Sequence, residues 1–166
     1  MRSTTRCLML WFGLALASFA AQAAGTVQVT FVQPEKYSDA RDAHRDSTNN
    51  LRVLKLYLEE LAARHVADGQ SLTIEVLDVD LAGEVRFSRR LHDDVRVLKG
   101  RADWPRITLR ATLESPGQPA RRIEQTVSDM AYLQHVNRYA DSEALRYEKR
   151  MLDEWFVAQF GAPSSK

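Results

Sequence analysis

Along the first polar stretch of the chain, Val27, Val29 and Phe31 alternate with Gln28 and Thr30, and Pro34 ends the run. A period of two is that of a half-buried strand, whose successive side chains point to opposite faces. From Ser47 the spacing changes to three and four. Leu51, Leu54, Leu58, Leu61 and His65, widened by Val53, Tyr57 and Ala62, predict a long amphipathic helix that stops at Asp68-Gly69. Alternation returns at Leu72, Ile74 and Val76, then shifts parity to Leu77, Val79 and Leu81 before Gly83. Such a shift is expected of a strand that carries a bulge or is buried on both faces.

The second half follows the same rules. Val95 and Val97 form a candidate strand before Trp104-Pro105, where the proline holds the preceding residue extended. Ile107, Leu109, Ala111 and Leu113 alternate with Arg106, Thr108, Arg110 and Thr112, which predicts a strand with one wet face. The turn Ser115-Pro116-Gly117-Gln118-Pro119 leads to a returning strand around Ile123 and Val127, an antiparallel hairpin, and a short helical turn is expected around Met130–Leu133. A final helix is expected to start at Asp141-Ser142, to carry Leu145, Met151, Leu152, Trp155, Phe156 and Phe160 along one side, and to stop at Gly161-Ala162-Pro163. The order strand-helix-strand-strand-strand-helix predicts an α+β fold, a small mostly antiparallel sheet of about four strands with two amphipathic helices on one face. No repeat or linker divides residues 24–162, which read as a single globular domain with residues 163–166 as a disordered tail.

The beginning of the chain is of another kind. Arg2 and Arg6 precede the uncharged run Leu8–Ala17, and Ala21-Gln22-Ala23 places small residues two apart, the pattern of a cleavable signal peptide over residues 1–23. Ser18, Gln22, Gly25, Thr26 and Gln28 make the following stretch too polar for a membrane anchor, so no membrane span is expected after cleavage. Cys7 precedes the apolar run instead of following it, which argues against a lipid anchor.

Composition narrows the chemistry. With 166 residues, 45% hydrophobic and 27% charged, the chain is neither disordered, collagen-like nor a polytopic membrane protein. Its one cysteine would leave with the signal peptide. A mature chain without cysteine has no disulfide, thiol nucleophile, redox pair or Cys-ligated zinc. No Gly-x-Ser-x-Gly elbow is present, and the glycines are too scattered for a phosphate-cradling loop.

Five segments carry a family resemblance: Val29–Ala40 (VTFVQPEKYSDA), Asp78–Glu84 (DVDLAGE), Lys99–Ile107 (KGRADWPRI), Val127–Leu133 (VSDMAYL) and Leu145–Phe156 (LRYEKRMLDEWF). In this order they resemble the domain of unknown function 3016 family of secreted proteobacterial proteins, over roughly residues 27–160. The resemblance implies a bacterial exported protein, periplasmic or secreted, and it implies no activity, catalytic residue or cofactor.

Two charged constellations remain as candidate chemistry. Asp78 and Asp80 share a strand face and Glu84 follows a glycine turn, so three carboxylates are placed to converge on a hard cation such as Mg²⁺ or Ca²⁺, or to pair with Arg86 or Arg89 instead. Near them His92 precedes Asp93-Asp94; His44 stands between Asp42 and Asp46; no two histidines have ligand spacing. His65 and His135 read as packing or surface residues. The second constellation is basic: net charge is −4 over residues 24–83, +5 over 84–122 and −2 over 123–166. Arg89, Arg90, Arg106 and Arg110 are the candidate contacts of one exposed positive face, unless they pair with the acidic thirds of the chain. Without aromatic residues interleaved in the basic stretch, nucleic acid is not an expected partner. The expectation is a noncatalytic periplasmic binding or accessory module that contacts an anionic envelope component or another periplasmic protein. The alternative is a small metal-assisted hydrolase using Asp78, Asp80 and Glu84, with His92.

Overall fold

A computed structural model of the protein describes residues 25–41 and 47–162. The signal peptide expected over residues 1–23, His44 with its flanking Asp42 and Asp46, and the tail at 163–166 lie outside the described residues.

Four strands form the main sheet: β1 (Thr26–Phe31), β2 (Ser71–Asp80), β5 (Arg106–Glu114) and β6 (Arg121–Ser128), in the order β1-β2-β5-β6. β1 and β2 are parallel, and the other pairings are antiparallel. Parallel neighbours need a crossover, which α1 (Thr48–His65) supplies. The second helix, α2 (Arg146–Phe160), returns to the same side, because Leu54, Leu58 and Leu61 of α1 and Leu152, Trp155 and Phe156 of α2 join one buried cluster with Ile74, Val76, Leu109 and Ala111 of the sheet. Each fully buried Leu, Ile, Val or Phe side chain among them contributes about 1.5–3 kcal/mol. This is the α+β architecture that the periodicity predicts, two helices on one face of a mostly antiparallel sheet.

The parity shift in β2 is a bulge. Val76 stands opposite Leu109 and Asp78 opposite Thr108, so Leu77 has no partner across the strand pair. One extra residue flips the alternation, so that Leu72, Ile74, Val76 and Val79 all reach the core while Asp78 and Asp80 stay on the open face.

Two expectations are corrected. A strand that the periodicity misses, β3 (Glu84–Ser88), pairs with β4 (Asp93–Val97) in a separate two-stranded sheet. The hairpin lies off the core and leaves Phe87 exposed, so it has no buried face to impose a period of two. The last helix begins at Arg146, not at Asp141-Ser142. Leu145 occupies the left-handed region at φ 56°, which cannot continue a right-handed helix, and the acids before it turn forward, Asp141 onto Arg146 and Glu143 onto Lys149. Around Met130–Leu133 the chain makes the expected short turn, closed by Gln134 N–H to Ala131 O at 2.8 Å.

Candidate functional site

The three candidate metal carboxylates are each held by different protein donors. Asp78 accepts the backbone N–H and the hydroxyl of Ser38, both at 2.7 Å. Asp80 takes the guanidinium of Arg106, which stands directly opposite it across the β2–β5 pair. Glu84 accepts from Arg86 Nη2 at 2.7 Å and from Lys99 Nζ at 3.0 Å, and these two partners, Lys99 foremost, hold its carboxyl below the ordinary value. Among the described residues no group of three His, Asp or Glu is arranged to hold a metal ion.

The arginines separate into two classes. Arg106 and Arg110 sit on the open face of β5. Arg110 lies between Glu75 of β2 and Glu124 of β6, its Nε 2.8 Å from Glu124 Oε2 and its Nη1 3.1 Å from Glu75 Oε2, and both acids raise its basicity. Arg106 also lies over the Trp104 ring, 5.8 Å from the centroid. Arg89 and Arg90 belong to another element, the four-residue turn between β3 and β4, where they make no ion pair among the described residues. His92 closes that turn in the left-handed region at φ 53°. The fold therefore does not place the four arginines on one element: two are cross-strand partners within the sheet, and two are presented at a hairpin tip.

A polar lock that sequence reasoning missed ties the five quoted segments together. Asp39 exchanges backbone bonds with the end of β2 and the residue after it, Asp39 N–H to Val79 O and Leu81 N–H to Asp39 O, each 2.9 Å. Gly83 N–H reaches Asp103 O at 2.8 Å, and the buried Asp103 carboxylate accepts the N–H groups of Lys99 at 2.6 Å and Arg101 at 2.8 Å and the hydroxyl of Tyr132 at 3.1 Å. Burial pushes the Asp103 carboxyl up, but these donors outweigh it and keep it below the ordinary value, while burial pushes Tyr132 up to about 12. Arg150 of α2 binds buried Asp129 at 2.7 Å, and Ala82 N–H binds buried Glu148 at 2.8 Å. A cleft of about 390 Å³ opens over this junction, with Leu81, Leu98 and Leu145 beside Arg96, Tyr147 and Glu148. The signal available in sequence is that Glu148 falls on the apolar stripe of α2, between Leu145 and Leu152. A carboxyl on such a stripe must be paired or neutral.

The remaining histidines lie apart from these groups. His65 packs on the Phe156 ring, centroids 5.4 Å apart, and His135 stands between Asp129 and Arg150. A second buried network joins the Tyr57 hydroxyl to Asp153 and to the Tyr139 hydroxyl, and burial and the Asp153 carboxylate raise the Tyr57 phenol well above its ordinary value. No helix among the described residues is long and apolar enough to cross a membrane.

No curated protein and no solved structure matches the chain. A family model described as a protein of unknown function (DUF3016) matches residues 25–158, a span that contains all five segments of the polar lock, and the chain belongs to that family.

Proposed function

We propose that the protein is a noncatalytic binding or accessory module of the bacterial envelope, exported by its N-terminal segment and acting by contact with an anionic partner. The observation that carries this reading is the division of its charged groups. The carboxylates that would bind a cation or move a proton are engaged by Ser38, Arg106, Arg86 and Lys99, whereas Arg89 and Arg90 project from a turn with no acid engaging them among the described residues. A catalytic acid or base needs a group free to exchange its proton with a substrate, and a steering surface needs cations that are not already neutralised. The tripartite charge distribution, with its excess in residues 84–122, supports the same reading. Its test has two arms, cell fractionation and metal analysis of the purified mature protein. The expected result is processed protein in the periplasmic fraction, with no stoichiometric metal. Metal-dependent hydrolysis that is abolished by Asp80→Ala would overturn it in favour of the hydrolase.

A further inference from the structure

We propose that the turn of the β3–β4 hairpin is a membrane-surface contact, in which Phe87 and Leu91 enter the headgroup region of an anionic phospholipid bilayer while Arg89 and Arg90 bind its phosphates. The proposal rests on the reading above and names its partner.

Phe87, next to last in β3, and Leu91, in the turn, are each 64% exposed. Between them in sequence stand Arg89 and Arg90, which pair with no acid among the described residues. The combination matters more than either part. A soluble polyanion is bound by cations alone and gives no reason to expose a phenyl ring and a leucine beside them. A lipid surface rewards both, because its phosphates take the guanidinium groups and its acyl boundary takes the apolar side chains. Met130 and Val136 are also exposed, at 68% and 94%, but the arginines nearest that segment are bound, Arg138 to Asp153 and Arg150 to Asp129.

The acids of the hairpin lie outside its four-residue turn. Glu84 lies at the far end of β3 and is held by Arg86 and Lys99. Asp93 stands opposite Ser88 and Asp94 opposite Phe87 across the hairpin, so both lie outside the four-residue turn that carries Arg89 and Arg90, and each has interactions of its own. The base is fixed to the body of the protein by Arg96, whose guanidinium donates to Gly83 O at 3.0 Å and Ala82 O at 3.3 Å and to the Asp39 carboxylate at 3.1 Å. A base tied to the body of the protein carries the two arginines and the apolar pair on one short hairpin end, which limits the ordering needed on contact.

The test uses the mature chain and vesicles of phosphatidylglycerol mixed with phosphatidylcholine, against vesicles of phosphatidylcholine alone. Flotation with the anionic vesicles only is expected, weakening as salt compresses the Debye length toward about 3 Å. Arg89→Ser and Arg90→Ser should each weaken binding about fivefold, the effect of about 1 kcal/mol for one arginine at an anionic surface. Phe87→Ser with Leu91→Ser should weaken it further, and a Phe87→Trp variant should gain blue-shifted emission only with the anionic vesicles. Thermal unfolding of each variant at the wild-type temperature shows that the fold is intact. Absence of binding to anionic vesicles overturns the proposal. So does binding that is indifferent to Phe87 and Leu91 and is matched by a soluble polyanion, a result that leaves the noncatalytic reading standing. Asp80-dependent hydrolysis would overturn that reading whether or not vesicles bind.

Discussion

The backbone N–H of Ala82 donates to Glu148 Oε1 at 2.8 Å, joining residues 66 apart in sequence where β2 leaves the sheet and α2 begins. Glu148 is 2% exposed. Burial raises its carboxyl above the ordinary value, and the Ala82 N–H and the charge of Arg96 oppose that shift without cancelling it.

The sign of this shift fixes a pH dependence. A carboxyl whose value in the folded protein is raised favours folding below its ordinary value of 4.5, and that contribution is lost as pH rises through the folded value. Glu148→Gln keeps an oxygen for Ala82 and removes the ionisation. Urea unfolding at a series of pH values should show the variant gaining on the wild type as pH rises above 4.5. Glu148→Ala should instead cost about 1–3 kcal/mol, because it leaves a buried N–H without a partner.

His65 gives the opposite sign. Burial against Phe156 lowers its imidazole below 6.5, Arg64 acts in the same direction, and Asp153 and the Gly161 backbone oppose them. Its neutral form supports the fold above 6.5, and that support is lost as pH falls through the depressed value. His65→Phe, which keeps an aromatic ring against Phe156, should flatten the loss of stability on acidification below 6.5, measured as the pH dependence of Tm.

Trp155 is 4% exposed, and its indole N–H donates to Gln125 Oε1 at 3.0 Å, fastening α2 to β6. Trp155→Ala should destabilise the protein by about 3–5 kcal/mol in urea unfolding, the usual result of emptying a large core site. A change below about 1 kcal/mol would show that the aromatic end of α2 does not contribute to the core.

The two classes of arginine should separate under charge reversal. Arg106→Glu with Arg110→Glu sets new carboxylates against Asp80, Glu75 and Glu124, so Tm should fall. Arg89→Glu with Arg90→Glu should leave stability within about 0.5 kcal/mol of wild type, since these side chains engage no acid among the described residues. Equal falls in Tm for both pairs would contradict the division.

Hydrophobic spacing along the chain located every element that buries a repeating face. Leu54, Leu58 and Leu61 mark α1, Ile107, Leu109 and Ala111 mark β5, and the step from Val76 to Val79 marks the bulge, because a residue's distance from the core is written into its spacing along one segment. The family was legible for a related reason, since its five segments are contiguous in the chain.

Which charges are engaged depends on contacts between distant segments. Arg110 is engaged because the registers of β2, β5 and β6 set it opposite Glu75 on one side and Glu124 on the other, and Asp80 is engaged because the same register sets it opposite Arg106. Those partners come from strands distant in sequence, and no local period encodes a register. The same holds for Glu148, whose partner Ala82 is fixed by the packing of α2 against the end of β2, and for β3, which buries no face and so leaves no period to read. Hydrophobic spacing is a local property of the chain, whereas ion pairing depends on which distant segments the core brings side by side.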